Sequence, residues 1–312
     1  MLNIRPLPPG LAKKAVEELN EDPSRIPKDL EAIRQWLAKS PHIKARTDDQ
    51  FLLAFLRGCK YSLERVKEKL DLFYSIRRAI PEVFAEREPS SARMREIMKL
   101  GVVLPLPNTE TPDSPRIFLV RPGCYDAEKF AVLETWKVST MIFEIMMRED
   151  DNLMVAGQIG VIDLADVTMT AFVQMTPAVI KRMTVIGQDS SPIRDKGTHF
   201  INTPPGFYQI FNIFKTFMTE KNKQRTQVHG DNVEKLFEKI PRRLFPTEYG
   251  GEAGSIASII EYWERKIDEY TDYFIEEETE GYGTDEKKRP GKPKNAETLF
   301  GLEGSFRQLA FD

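Results

Sequence analysis

GQIGVIDLADV, residues 157 to 167, decides the architecture. A short apolar run opens at Gly157 and stops at Asp163 and Asp166, the pattern of a strand buried on both faces. VVLPLP (102–107), RIFLVRP (116–122) and GTHFIN (197–202) repeat it, each bounded by Gly, Pro, Asp or Asn. Helical stretches lie between them. Leu133, Trp136, Thr140, Phe143 and Met147 share one face of the first. Phe172, Met175, Val179, Ile180 and Met183 mark the second. Strands alternating with helices predict an α/β domain with a largely parallel or mixed sheet.

Upstream of Gly101 the texture is all-helical. Residues 1 to 27 read as an exposed lead in which LAKKAVEEL (11–19) makes a short helix. From 28 to 100 a helical unit is expected. Leu30, Ile33, Trp36 and Leu37 recur at helical spacing, and Thr47 with Gln50 forms a capping box ahead of Phe51, Leu52, Phe55 and Leu56. Ser62 caps a helix faced by Val66, Leu70 and Phe73. The α/β unit runs from 101 to 255 and includes a small helix at 231–239. A C-terminal helix follows to 275. Beyond it, 276–312 has few apolar residues and much Gly and Pro, which predicts a flexible tail whose end, LFGLEGSFRQLAF, docks back.

The 312 residues are 41% apolar and 30% charged with net charge −3, which suits a globular protein and gives no global pull toward nucleic acid. Two cysteines, Cys59 and Cys124, allow one disulfide between them, but a reduced intracellular protein is the simpler expectation. The N-terminus has no signal-peptide pattern and no window reaches 18 apolar residues, so a cytoplasmic location is the expectation. Phosphate-loop, dinucleotide and nucleophile-elbow motifs are missing. His42, His199 and His229 are scattered, so no metal and no cofactor are expected; His199 reads as a hydrogen-bonded core or rim histidine. Asp163 and Asp166 fit either an acid/base pair or a cap on the turn after the strand. Ser139 and Thr140 offer polar handles in a pocket or bonds to the preceding helical turn. No catalytic residues emerge, so binding rather than catalysis is the expectation.

One helix is unusual. In TPPGFYQIFNIFKTFMTEKNKQR (203–225), Phe207, Phe211, Phe214 and Met218 fall within about 40° on a helical wheel, with Ile210 about 60° away. Tyr208, Ile213 and Phe217 widen the apolar sector past half the circumference, more than a surface helix needs. Such a helix is either buried between two core layers or lines a cavity on one side and meets a membrane on the other. From 181 to 225 there are eight basic residues and three acidic ones, a local +5. That patch suits an anionic surface such as phosphoinositide head groups, or is a solvated basic face.

DDQFLLAFLRGCKYSLERVKEKL (48–70) resembles the N-terminal signature of the CRAL-TRIO family. GVIDLADV, TPAVIKRM, the stretch from Ser191 to Arg225, VHG and FPTEYGG resemble successive landmarks of its lipid-binding domain. The likeness is nearest the α-tocopherol transfer and cellular retinaldehyde-binding branch, and GSFRQLAFD (304–312) resembles the ending of insect members. The resemblance implies an α/β domain whose mixed, mostly parallel sheet floors an apolar pocket, preceded by an all-α domain, with Pro205 to Met218 as a mobile gate. It places phosphoinositide contacts on Arg57, Arg194, Lys196, Lys221 and Arg225, with Cys59 then Lys60 where the family has a further arginine. Ser139, Ile162, Ile186, Ile193, Phe214 and Met218 match pocket walls, Phe143 and Ser191 depart from the family pattern, and Trp136, Phe172, Phe207, Ile210 and Phe211 complete the candidate lining. The implied role is a monomeric, non-enzymatic carrier of one hydrophobic lipid (retinoid, carotenoid, tocopherol, sterol or similar). It would be cytoplasmic and reversibly peripheral to phosphoinositide membranes, with no nucleic-acid partner. A lipid-sensing trafficking or signalling adaptor is the alternative. A lipid-modifying enzyme would need Asp163 or Asp166 in the pocket.

Overall fold

The structure is a computed structural model that describes residues 2–301. Its helices are α1 (Pro9–Leu19), α2 (Ile26–Ala38), α3 (Asp49–Gly58), α4 (Leu63–Ala79), α5 (Pro81–Phe84), α6 (Ala92–Leu100), α7 (Val132–Glu149), α8 (Met169–Val173), α9 (Pro177–Thr184), α10 (Phe207–Phe217), α11 (Glu220–Arg225), α12 (Glu234–Phe237), α13 (Ile256–Glu269), α14 (Thr271–Thr279) and α15 (Ala296–Phe300). Its strands are β1 (Ile43–Lys44), β2 (Val103–Pro105), β3 (Arg116–Val120), β4 (Gln158–Asp163), β5 (Asp195–Ile201), β6 (Thr226–Val228) and β7 (Gly283–Thr284).

Local chemistry sets several boundaries. Asp48, not Thr47, caps α3, its carboxylate accepting the Phe51 N–H at 3.1 Å. Gln50 instead accepts the Arg5 N–H at 3.0 Å. The expected capping box is therefore displaced by one residue, because the aspartate gives the stronger acceptor at the helix N-terminus. The second helical stretch is split in two: Pro177 opens α9, where the Thr176 hydroxyl accepts from the Val179 N–H at 3.3 Å.

The main sheet has the order β2-β3-β4-β5-β6, with β2 antiparallel to β3 and every other pair parallel. Registers Phe118↔Gly160↔Thr198 and Val120↔Ile162↔Phe200 place these residues on one face. Ile117, Leu119, Val161, His199 and Ile201 fill the other face and are buried. The first face keeps partial exposure at Gly160, Ile162, Thr198 and Phe200, although α10 lies over it.

The N-terminal lead is anchored rather than loose. Leu11, Ala15 and Leu19 of α1 pack on Val155 and Ala156 as a small separate core. Arg5 pairs with Asp151 through Nε at 2.7 Å and Nη2 at 2.9 Å. Residues 276–301 also depart from expectation. They form a strap rather than a free tail, with β7 paired to β1 and Arg289 bound to both carboxylate oxygens of Asp71 at 2.6 and 2.7 Å. Lys294 adds a second cation on Asp71 at 2.8 Å, and Phe300 is buried. Ion pairs hold this segment, which is why its polar composition reads as flexible. The remainder of the expected docking end, 302–312, lies outside the described residues.

Candidate functional site

A cavity of about 60 Å³ lies between α7, the segment 186–193 and the helical unit. It brings together four of the expected residues, Trp136, Phe143, Ile186 and Ile193. Phe73 and Ile76 of α4 and Phe84 of α5 close its far side. These three were not anticipated, because nothing in the sequence says which residues of one domain meet the other. Phe143 stacks on Phe118 with ring centroids 4.8 Å apart, which narrows the space. Ser139 does not belong here. It sits about 60° round α7 from Trp136 and faces a separate cleft with Trp263 and Ile267 of α13.

The remaining expected lining residues fall on α10 and on the segments beneath and beside it. Phe207 and Phe211 are buried against Phe200, with centroids 5.2 and 5.3 Å away, and stack on each other at 5.1 Å. Ile162, Phe172, Ile210, Phe214 and Met218 are half-buried and lie outside the wall of the 60 Å³ cavity. Tyr208 is 59% exposed, so α10 buries one edge and presents another. Gly206 precedes the helix at φ +86°, a left-handed conformation suited to glycine, after Pro204 and Pro205. At the other end Gln188 bonds the junction between α10 and α11. Its Nε2 donates to the Phe217 carbonyl at 3.4 Å, and its Oε1 accepts from the Thr219 N–H at 3.3 Å and from Asn222 Nδ2 at 2.8 Å. Lys69 of α4 in turn donates to the carbonyls of Gln188, Asp189 and Ser191 at 3.0, 2.8 and 2.7 Å.

The basic residues divide. Arg57 is 2% exposed, with Nε on Glu21 at 2.9 Å and Nη1 3.6 Å from Asp151. It does not face solvent, and the expected contact at this position is corrected: the charge is consumed inside the fold. Arg194, Lys196, Lys221 and Arg225 do gather, since α11 packs beside β5. Arg225 donates to the Asp195 carbonyl and Arg194 to the Val155 carbonyl. The Lys221 ammonium is pushed below its ordinary value first by Arg225, then by burial, Lys60, Lys196 and Arg194. Such crowding marks a site that favours anions. Lys60 joins it from the turn after α3, where Lys60 and Tyr61 both take positive φ, +53° and +60°. That turn is pressed close: a Cβ on Gly58 would lie 2.0 Å from the Pro192 carbonyl oxygen. One acid intrudes, Glu18 of α1, 3.0 Å from Lys196 Nζ.

Asp163 is a structural hub. It accepts from the Ala165 N–H at 3.0 Å, from Asn202 Nδ2 at 2.7 Å and from the Tyr249 hydroxyl. Asp166 is exposed beside it, and both line a cleft of about 720 Å³ at the carboxyl ends of the strands, none of whose lining residues belongs to α10. His199 is buried, with Nδ1 2.9 Å from His229 Nε2; burial, His229 and Lys239 push it down to about 4. Cys59 and Cys124 are both free thiols.

These features define a class: an α/β protein with an aromatic helix packed on its sheet, a basic patch after that helix, and a small apolar cavity where the sheet unit meets a helical domain in front. Residues 22–94 match the Pinta-like, UBA domain and residues 102–251 the CRAL/TRIO domain. The α-tocopherol transfer protein-like proteins of Mus musculus and Homo sapiens are each 32% identical over 260 residues, covering 80% of this chain and 75% of theirs. Clavesin-2 of Rattus norvegicus is 28% identical over 247 residues, covering 78% of this chain and 75% of its own. The crystal structure of Sfh5 aligns over 82% of this chain and 92% of that one with a TM-score of 0.48 and 12% identity, too distant to carry an argument. The chain belongs to the CRAL-TRIO family.

Proposed function

We propose that this protein carries a single hydrophobic lipid beneath α10 and exchanges it at membranes that display phosphoinositide head groups. The observation that carries the reading is the physical continuity of lid and patch. α10 ends at Phe217, and after two residues α11 presents Lys221 and Arg225. An anion drawing on α11 therefore acts on the segment that Gln188 pins. No helix among the described residues is long and apolar enough to cross a membrane. The relatives' names, with tocopherol transfer among them, fit the carrier reading.

A cavity of 60 Å³ is far below the roughly 300–1,000 Å³ of ligand pockets, so loading requires the lid to swing and the walls to part. Ile210 and Phe214 of α10 are half-buried and surrender less apolar burial in that motion, whereas Phe207 and Phe211 must leave their seat on Phe200. Head groups bound at Lys196, Lys221, Arg225 and Lys60 shift the population toward the open form only if they bind it more tightly. Arg194 supplies a planar fork for phosphate, and the lysines supply point charges.

The test is transfer of a labelled lipid between vesicles. Acceptors containing phosphatidylinositol bisphosphate should speed it, and the double change Lys221→Ala and Arg225→Ala should weaken binding to them by roughly thirtyfold, at about 1 kcal/mol per basic residue. Lipid uptake from detergent should be unchanged. Transfer no faster than background would support the adaptor alternative, and equal vesicle binding by parent and double variant would remove the patch from the mechanism.

A further inference from the structure

The cavity wall is mostly apolar, and its oxygen-bearing side chains are nearly all occupied. Thr140 donates to the Lys137 carbonyl at 2.8 Å and Ser190 to the Ile186 carbonyl at 3.0 Å. Ser191 Oγ accepts the Ile193 N–H at 3.1 Å. Glu144 is paired with Arg87 at 2.7 Å and Arg77 at 3.0 Å. Gln158 is different. It is the first residue of β4 and one of the residues that line the same wall. Its Oε1 is shielded from solvent and has no hydrogen-bond partner among the described residues. A buried amide oxygen left this way is costly, and nearly all such groups in folded proteins find a partner.

We infer that Gln158 reads the polar end of the lipid, and that the preferred ligand carries a hydroxyl group able to donate to its Oε1. The inference rests on the carrier reading and names the chemical class of the cargo. A carbonyl acceptor discriminates by hydrogen. An alcohol such as a sterol, a chromanol or a retinoid alcohol donates to it. The matching ether, ester or hydrocarbon has no hydrogen to give and leaves the oxygen unpaired. A site built to hydrogen-bond a hydroxyl rejects the analogue without it more strongly than an apolar wall rejects an added methyl. The position also orients the cargo. Gln158 lies opposite Asp195 in register at the start of the strand, near Ile193. A hydroxyl held there leaves the hydrocarbon body to run past Phe143 and Trp136 toward the lid.

The experiment compares matched pairs: retinol with retinyl methyl ether, α-tocopherol with its methyl ether, cholesterol with its methyl ether. Binding is read from quenching of tryptophan fluorescence and from competition, using the full chain. In whichever pair binds, the parent should favour the alcohol roughly tenfold or more. Gln158→Leu should erase that preference while holding the ether as well or better. Gln158→Met, closer in shape, serves as the second variant, and thermal melts check that each variant folds. A preference that survives both changes overturns the inference, as does equal binding of alcohol and ether by the parent. Equal loss of both ligands in a variant that melts normally also overturns it, since that marks a structural role. Uptake of a lipid without alcohol preference leaves the carrier reading standing, whereas no uptake of any pair removes both.

Discussion

Two sets of cations in this molecule are managed in opposite ways. Between the helical domain and α7, Arg77 and Arg87 are buried, and Glu144 answers both; Glu277 adds a second carboxylate to Arg77 at 3.3 Å. Beside the lid, Lys60, Arg194, Lys196, Lys221 and Arg225 crowd one another, with Glu18 the one carboxylate paired to them among the described residues. Burial forces pairing, because an isolated charge in an apolar interior is very costly. Exposure permits repulsion, because water screens it. The first arrangement makes a rigid base. The second stores attraction for an outside anion and sits after the half-buried end of α10.

The strongest way to break that contrast is to unpair the base. Glu144→Gln leaves Arg87 buried without a carboxylate and should destabilise the fold by about 3–5 kcal/mol. Urea denaturation reads this directly, and phosphoinositide vesicle binding by the folded fraction should not change. The pH dependence gives a second reading. Burial alone would raise the Glu144 carboxyl, but Arg77 and Arg87 hold it below its ordinary value of 4.5. Its folded value is thus depressed, so its contribution is complete above pH 4.5 and fades as pH falls through the folded value. Glu144→Gln should lack that part of the acid sensitivity. Parallel stability curves for parent and variant below pH 4.5 would show that Glu144 is not the source.

A smaller effect tests the lid. Gln188→Ala removes three hydrogen bonds that pin the junction of α10 and α11. At about 1 kcal/mol for the linked set once water replaces it, opening should rise by roughly fivefold. Hydrogen exchange should quicken across 207–222 and stay unchanged in β4. Faster exchange spread evenly over the whole chain would point to global destabilisation instead of a latch.

The sequence reading located regular elements well where apolar pattern dominates. GQIGVIDLADV is β4, and the Trp136 face of α7 does reach the cavity. It failed where the determining partner is distant. β6 has three residues and no apolar run to announce it. Arg57 looks like a surface basic residue until Glu21, 36 positions away, is folded onto it. The strap at 276–301 reads as flexible because its hold is Asp71, more than 200 positions earlier. Ser139 and Trp136 are three residues apart, yet the helix turns one toward α13 and the other toward the cavity. Gln158 and Gln188 carried no signal, since a lone glutamine has no pattern and its role depends on what the fold leaves unpaired or within reach.

The smallest predicted effect concerns the acid inside the basic patch. Glu18 Oε2 lies 3.0 Å from Lys196, and its Oε1 lies 3.8 Å from Lys14. Burial would raise the Glu18 carboxyl, yet Lys196, Lys14 and Arg194 together hold it below its ordinary value. It therefore stays charged at neutral pH, and a carboxylate on Lys196 occupies ground that a phosphate oxygen would take. The pair is partly exposed, which limits its worth to about 0.2–1 kcal/mol. Glu18→Gln should accordingly tighten binding to phosphoinositide vesicles by about 1.4- to fivefold at low salt, with the gain fading as ionic strength rises. Glu18→Lys should go further in the same direction, while vesicles of phosphatidylcholine alone should bind neither variant better. If Glu18→Gln binds phosphoinositide vesicles no better than the parent, Lys196 is not in contact with the head group, and the patch narrows to Lys60, Arg194, Lys221 and Arg225.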